Sequence, residues 1–460
     1  MPTAPITTAR FAEFIERDSR NHGMNLRFSF TPYPVVGMPR ETLRRYIDGN
    51  DPVSGKPLAQ ELIDALTKPL TTTETNPTKP ARPTRPRLLE PNTEDGLQRM
   101  FLESGWTDGL PIVIPTEERV AEMLTGTCHP PDEVVGRMTV TTTQERLEYT
   151  VEKVAVNAVM AGARPEHLPV ILAIASTQEP AFPSSTTSFA RMVVVNGPIR
   201  NEIGMNAGVG ALSPFNYANS VIGRAWTLMT INLADARLGE TFLPSQGHNL
   251  NYNNMCCAEN EEKSVWEPFH VQKGFRPDES VVSVFRGWSV INSMGAANSI
   301  RPASEETVIM LKAFPALRSA ATLVMDPLVA KGLKEQGFQT KQDLSRWLSE
   351  HVEVPAGQYW GADVIYSFKA PLARQGVEPY ATWAKVPKET PIKPYNDPNQ
   401  INVVIVGGET NPLWLTTDFL YTQSTPVDRW RPDGAIRNDA HPIRMPAAAS
   451  CADDICGLPS

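Results

Sequence analysis

Side chains able to do chemistry concentrate between Gln246 and His270, in the stretch QGHNLNYNNMCCAENEEKSVWEPFH. Two of the seven histidines (His248, His270) and two of the five cysteines (Cys256, Cys257) fall there, with Glu259, Glu261, Glu262 and four asparagines between 249 and 254. One reading is a catalytic thiol: Cys256 as nucleophile or redox group, its thiolate favoured by an adjacent imidazolium such as His248, with Glu259 as a neighbouring carboxylate. A second is a divalent-metal site with His248, Cys256 and either His270 or Glu259 as ligands, serving a hydratase or lyase. The third is a polar loop around a buried cysteine pair. Spacing selects none of the three: there is no CxxC and no HExxH, and vicinal cysteines close at best a strained disulfide.

Other segments offer partners. Gly204-Met-Asn206-Ala-Gly208-Val-Gly210-Ala-Leu-Ser213-Pro214 is glycine-rich, and Asn206, Gly208 and Ser213 would cradle a carboxylate or phosphate with backbone amides. It is neither GxGxxG nor a P-loop, since Ser213 stands where a third glycine belongs and no Gly-Lys-Ser/Thr follows. Asn196, at the end of an apolar run, would hold the same anion. In Gly105-Trp106-Thr107-Asp108-Gly109, Asp108 is either a turn residue or a base, and Trp106 a pocket wall. Lys153 shares a helical face with Asn157 at i, i+4 and is a further substrate contact. Cys451 and Cys456 are spaced as a resolving dithiol on a frayed tail.

These residues need elements to hold them. Val151, Val154, Ala155, Ala158 and Val159 follow helical periodicity up to Gly162, and residues 217–234 are apolar nearly all round, as in a buried helix. Short apolar runs at 111–114, 192–195, 281–285, 322–325 and 401–406 read as strands. Pro327 and Thr340 open helices. The alternation predicts an α/β class: a mainly parallel or mixed sheet with helices on both faces. Ligands would then sit beyond the carboxyl ends of the strands, after Val195, Met325 and Val406. Sixteen of the 42 prolines lie in 92–354, whereas 26 lie in the shorter flanks, where proline opposes both helix interiors and ladders. The division that follows is a helical arm over 1–66, a Pro/Thr-rich linker over 67–95, a central α/β domain over 96–354, and a Pro-rich extension over 355–460, irregular before its one core strand. The flanks should wrap the centre.

Several of these segments resemble the UGSC-like (seleno)protein family, named for a selenocysteine- or cysteine-Gly-Ser-Cys motif: GWTDGLPIVIPTEERVAEML (105–124), TVEKVAVNAVMAG (150–162), VVVNGPI (193–199) and CCAENEEKSVWEPFH (256–270). DPVSGKPLAQELIDALTKPL (51–70) is similar to the tail of that family's motif-bearing domain. The resemblance implies thiol or selenol chemistry and maps the family's cysteine in the Cys-apolar-Ala-Glu-Asn-Glu-Glu segment onto Cys256. No Cys-Gly-Ser-Cys occurs in this chain, so either the chemistry lies in the centre or a partner subunit supplies the motif.

Composition narrows the partners. Net charge is −8 with a pI near 5.6 and mean hydropathy −0.27, and there is no basic stripe for nucleic acid or an anionic membrane surface. No apolar run reaches the length of a membrane span. Five cysteines make no disulfide framework, which points to a reducing cytoplasm. The expectation is a cytoplasmic, thiol-dependent oxidoreductase or lyase acting on a small anionic molecule, as a homo-oligomer or as a complex with a UGSC-motif protein. The competing forms are the metal enzyme and a non-catalytic half-site subunit.

Overall fold

The computed structural model describes residues 3–78, 86–140, 146–293, 295 and 300–433. The tail dithiol, Cys451 and Cys456, lies outside them. Two compact units emerge among the described residues, one built from 3–78, 86–91 and 360–381, the other from 92–140, 146–293, 300–359 and 382–433.

In the smaller unit a short parallel pair, Ile6–Thr8 with Ser29–Thr31, is accompanied by helices Ala12–Asn21, Arg40–Asp48 and Leu58–Thr67. The buried Asp51 carboxylate ties it together, accepting the amides of Phe30 at 2.6 Å, Val53 at 2.7 Å and Ser54 at 3.1 Å. Helix Asp363–Arg374 also belongs to this unit. Residues 355–400 are thus not irregular throughout. Pro371 masked the helix in the sequence; it lies inside the last turn, where it forgoes the hydrogen bond back to Ser367.

The larger unit holds two four-stranded sheets. The strands of these two sheets are β1 (Ala190–Asn196), β2 (Cys257–Ala258), β3 (Val281–Gly287), β4 (Val290–Asn292), β5 (Ala321–Met325), β6 (Ile401–Ile405), β7 (Trp414–Thr417) and β8 (Leu420–Pro426). The orders are β8-β3-β1-β2 and β6-β5-β7-β4. Both sheets are mixed: β1 runs parallel to β2 and β5 to β6, and the other pairs are antiparallel.

Strand alternation sorts the side chains into layers. Val193, Val195, Val282 and Val284 face the helices α1 (Val151–Ala161), α2 (Leu168–Ser176) and α3 (Tyr217–Leu233). Leu323, Met325, Val403 and Ile405 face α4 (Ala303–Lys312), α5 (Pro327–Glu335) and α6 (Lys341–His351). The alternate residues Met192, Val194, Phe285, Val324 and Val404 meet in a third core between the sheets. The α/β class and the mixed sheets are as the sequence indicates. The helices do lie on two faces, but these are the outer faces of two stacked sheets. The strands β1, β5 and β6 are buried along their whole length because a helix layer covers one side and the other sheet covers the second.

Chain crossings between the sheets lie side by side. Trp288-Ser289 joins β3 to β4 and Asp418-Phe419 joins β7 to β8, and Asp418 accepts the amides of Trp288 at 2.9 Å and Ser289 at 2.8 Å. One expected strand is not a strand. Pro111–Ile114 joins no sheet; the Gln98 carboxamide stands in for a neighbouring strand, donating to the Ile112 carbonyl at 2.7 Å and accepting its amide at 3.2 Å.

Candidate functional site

A cavity of about 250 Å³ opens beside the inter-sheet core. Its polar wall is His248, Asn249, Asn253, Asn292 and Cys256; its apolar wall is Leu212, Leu250, Met255, Val290 and Leu415. The segment 248–256 supplies most of it. There, Asn254 and Met255 are both left-handed, with φ of 50° and 43°, a conformation costly for residues with a Cβ. The turn is held from α3: the fully buried Asn254 donates to the Gly223 carbonyl and the Thr227 hydroxyl, both at 2.9 Å. Gly223 is what permits the approach, since a Cβ there would overlap the Asn253 carbonyl and stand 2.8 Å from the Cys256 Cβ.

Cys256 therefore reaches the cavity wall while remaining 2% exposed. Burial, and after it the neighbouring Cys257 thiol, push its pKa well above the ordinary thiol range, against a Gly223 backbone hydrogen bond acting the other way. Its resting form at neutral pH is the thiol. Cys257 faces the opposite way, into the inter-sheet core, and burial lifts it to about 12.

His248 lines the same cavity, but its ring is occupied. Nδ1 accepts the Leu250 amide at 3.1 Å and Nε2 donates to the Trp288 carbonyl at 3.3 Å, which sets the neutral Nε2–H tautomer. It is no imidazolium beside a thiolate, and it has no free lone pair for the Cys256 proton in this arrangement.

The remaining candidates are dispersed. Asn196 and Glu259 meet at a fully buried hub near the ends of β1 and β6. Glu259 accepts from Asn196 Nδ2 and Lys341 Nζ, each at 2.6 Å, from the Phe269 amide at 2.6 Å and from the Ile405 amide at 3.2 Å. With four donors it is a structural clamp rather than a carboxylate lining the cavity. Glu261 extends the hub, accepting Asn196 Nδ2 at 3.0 Å and the Gly197 amide at 2.8 Å. The neighbouring Glu262 is held down at about 2 by hydrogen bonds from Arg200. His270 is wholly buried here; among the described residues its ring nitrogens have no hydrogen-bond partner, and Nδ1 lies 4.0 Å from Glu261. His270 thus belongs to the hub and not to the cavity that holds His248 and Cys256. Among the described residues, no three His, Cys, Asp or Glu side chains converge to hold a metal ion. The expected metal set does not fit.

Asp108 is gripped by Arg224, Nε to Oδ2 at 2.8 Å and Nη2 to Oδ1 at 2.9 Å, and is spent as a salt-bridged turn residue. Trp106 packs edge-on against Phe101, 5.5 Å between centroids, beside the helical core. Lys153 is exposed on α1. The glycine-rich loop is knitted by its own asparagines. Asn206 donates to the Val209 carbonyl and accepts the Gly208 amide, the Ser213 amide returns to Gly210, and Asn216 binds the carbonyls of Gly210, Ala211 and Ser213. The amides of Gly208 and Ser213 are thus already used, which removes the anion cradle; only Leu212 of this loop reaches the cavity. Nor does the cavity lie beyond the strand ends. That rule belongs to open sheets with helices on both faces, and here the inner faces cover one another.

Sequence reasoning overlooked Arg224, Lys341, Gly223 and Asn254. Two of them carried a signal. Arg224 is a lone charge in an otherwise apolar helix, which demands a buried partner. Lys341 opens a helix where a cation opposes the dipole, and it is 2% exposed against Glu259.

Compared with known proteins, the chain matches no family model, no curated protein and no solved structure.

Proposed function

We propose that the chain is an enzyme that binds a small polar molecule in the cavity beside Cys256 and performs thiol chemistry on it, by addition or redox exchange. The observation that carries this reading is the left-handed pair Asn254-Met255, whose strain is met by bonds from α3 and which ends on Cys256 at the cavity wall. The lining has three carboxamides, one imidazole and no Lys or Arg. This supports an uncharged, hydrogen-bonding substrate in place of the anion expected from sequence. The similarity of 256–270 to the UGSC-like family, which maps that family's cysteine onto Cys256, agrees with thiol chemistry. We place the reaction in the cytoplasm, where Cys128, Cys256 and Cys257, all free thiols, stay reduced.

The step that balances from the resting thiol is addition to a conjugated amide or ketone: the thiolate fraction of Cys256 attacks the β-carbon, the Sγ–carbon bond forms and the thiol proton ends on the substrate α-carbon, with nothing else consumed. Acrylamide, a neutral carboxamide, is the probe. Modification of Cys256 in the folded protein should saturate with acrylamide concentration and rise steadily with pH through 7–9. It should vanish in Cys256→Ala, whose circular dichroism stays that of the parent. Adducts confined to the other four cysteines would sink the proposal.

A further inference from the structure

Lys273 follows the short helix Phe269–Gln272, and its ammonium has unusual company. Nζ stands 4.9 Å from the Phe269 ring centroid and 4.5 Å from that of Tyr421, and donates to Asn402 Oδ1 at 2.9 Å. Phe269, Phe285 and Tyr421 pack mutually at 5.4, 5.5 and 5.6 Å against the inter-sheet core. Lysine ammonium groups normally meet carboxylates or water. Among the described residues no carboxylate lies within ion-pair distance of Lys273, and the charge acting on it is a like one, Lys341.

We infer that Lys273 is a carbonyl-reactive amine, a site at which a small aldehyde or ketone condenses with the chain. Tyr421, only half-buried, offers an aromatic face to the apolar part of such a molecule. The protonated imine keeps one N–H for Asn402 and one positive charge for the rings, so both sets of contacts outlast the reaction. In the condensation the ammonium first gives a proton to water and the neutral amine's lone pair attacks the carbonyl carbon; the carbonyl oxygen leaves as water with the two hydrogens lost from nitrogen, and the imine nitrogen takes one proton back from water, so that ammonium and carbonyl become protonated imine and water. Burial, and after it Lys341, lower the amine to about 8. At pH 7.5 about a quarter of it is then neutral, against roughly one part in a thousand for a solvated lysine. This site is separate from Cys256 and its reactivity does not depend on that reading.

The test is a short pulse of propanal with cyanoborohydride, which delivers hydride to the imine carbon and fixes the adduct, followed by peptide mapping of the full chain. Lys273 should be labelled at least about tenfold faster than the median lysine, with a rate that rises about a midpoint near pH 8. Lys273→Arg should remove the fast site and leave the others unchanged. Asn402→Asp, which sets a carboxylate beside the amine, should slow labelling of Lys273 about tenfold. Labelling of Lys273 at or below the median rate, or undiminished in a folded Asn402→Asp, overturns the inference. Should that variant not fold, the comparison among wild-type lysines decides alone.

Discussion

Cys256 and Cys257 are consecutive in the chain and opposite in surroundings: Cys256 ends the left-handed turn at Asn254-Met255, and Cys257 begins β2. The first faces the cavity and the second the core between the sheets. A disulfide between them is therefore not the chemistry on offer, and their adjacency in the sequence misleads. Glu259 teaches the same lesson. As a letter it belongs to an acidic run; as a side chain it is buried against the equally buried Lys341, 2.6 Å away. Glu259→Gln would strand that ammonium without a counter-charge, so urea titration should show a loss of roughly 3–5 kcal/mol. Adding Lys341→Met should restore most of it. Additive losses in the double variant would mean that the pair is not coupled.

At the scale of elements, α3 does more than fill the core. It presents Gly223 and Thr227 to the 253–256 turn, and the turn in turn sets the cavity wall. Two helical glycines should consequently respond in opposite directions. Gly223→Ala forces a Cβ against the Asn253 carbonyl and should cost about 1–3 kcal/mol or more. Gly332→Ala, on α5, meets nothing within 4 Å and should gain roughly 0.5–1 kcal/mol from helix propensity. Thermal denaturation of the two variants checks both signs, and a Gly223→Ala protein as stable as the parent would contradict the packing described. The helices themselves were legible, α1 and α3 almost to their ends, since periodicity and caps are local. The strand expected at 111–114 was not, because a ladder needs a partner and Gln98 took that place.

Across the whole molecule, burial dominates the ionisable groups of the cores. Cys256, Cys257, Tyr149 and Tyr395 all have pKa values raised by it. In the unfolded chain the thiols ionise near 9.0, whereas in the fold Cys257 holds its proton to about 12. Between those values the unfolded state binds fewer protons, so stability falls as pH rises. It is complete below about pH 9 and decreases toward 12 by about 1.4 kcal/mol per pH unit for Cys257 alone. Cys257→Ala should flatten that slope in urea titrations between pH 9 and 11; an unchanged slope would place the titrating groups elsewhere.

Residues 246–270 alone announced that polar chemistry and thiols meet there, and the apolar runs alone implied strands covered on both sides. Both follow from residue type and local period, which the chain carries in one dimension. The split of that polar run into a cavity wall at His248 and Cys256 and a buried hub at Glu259, Glu261 and His270 was decided by tertiary structure. So were the capture of Asp108 by Arg224 and the stacking of two sheets where one was expected. Each depends on which distant groups neutralise a charge or cover a face, and such pairings are set only when burial removes water as the alternative partner.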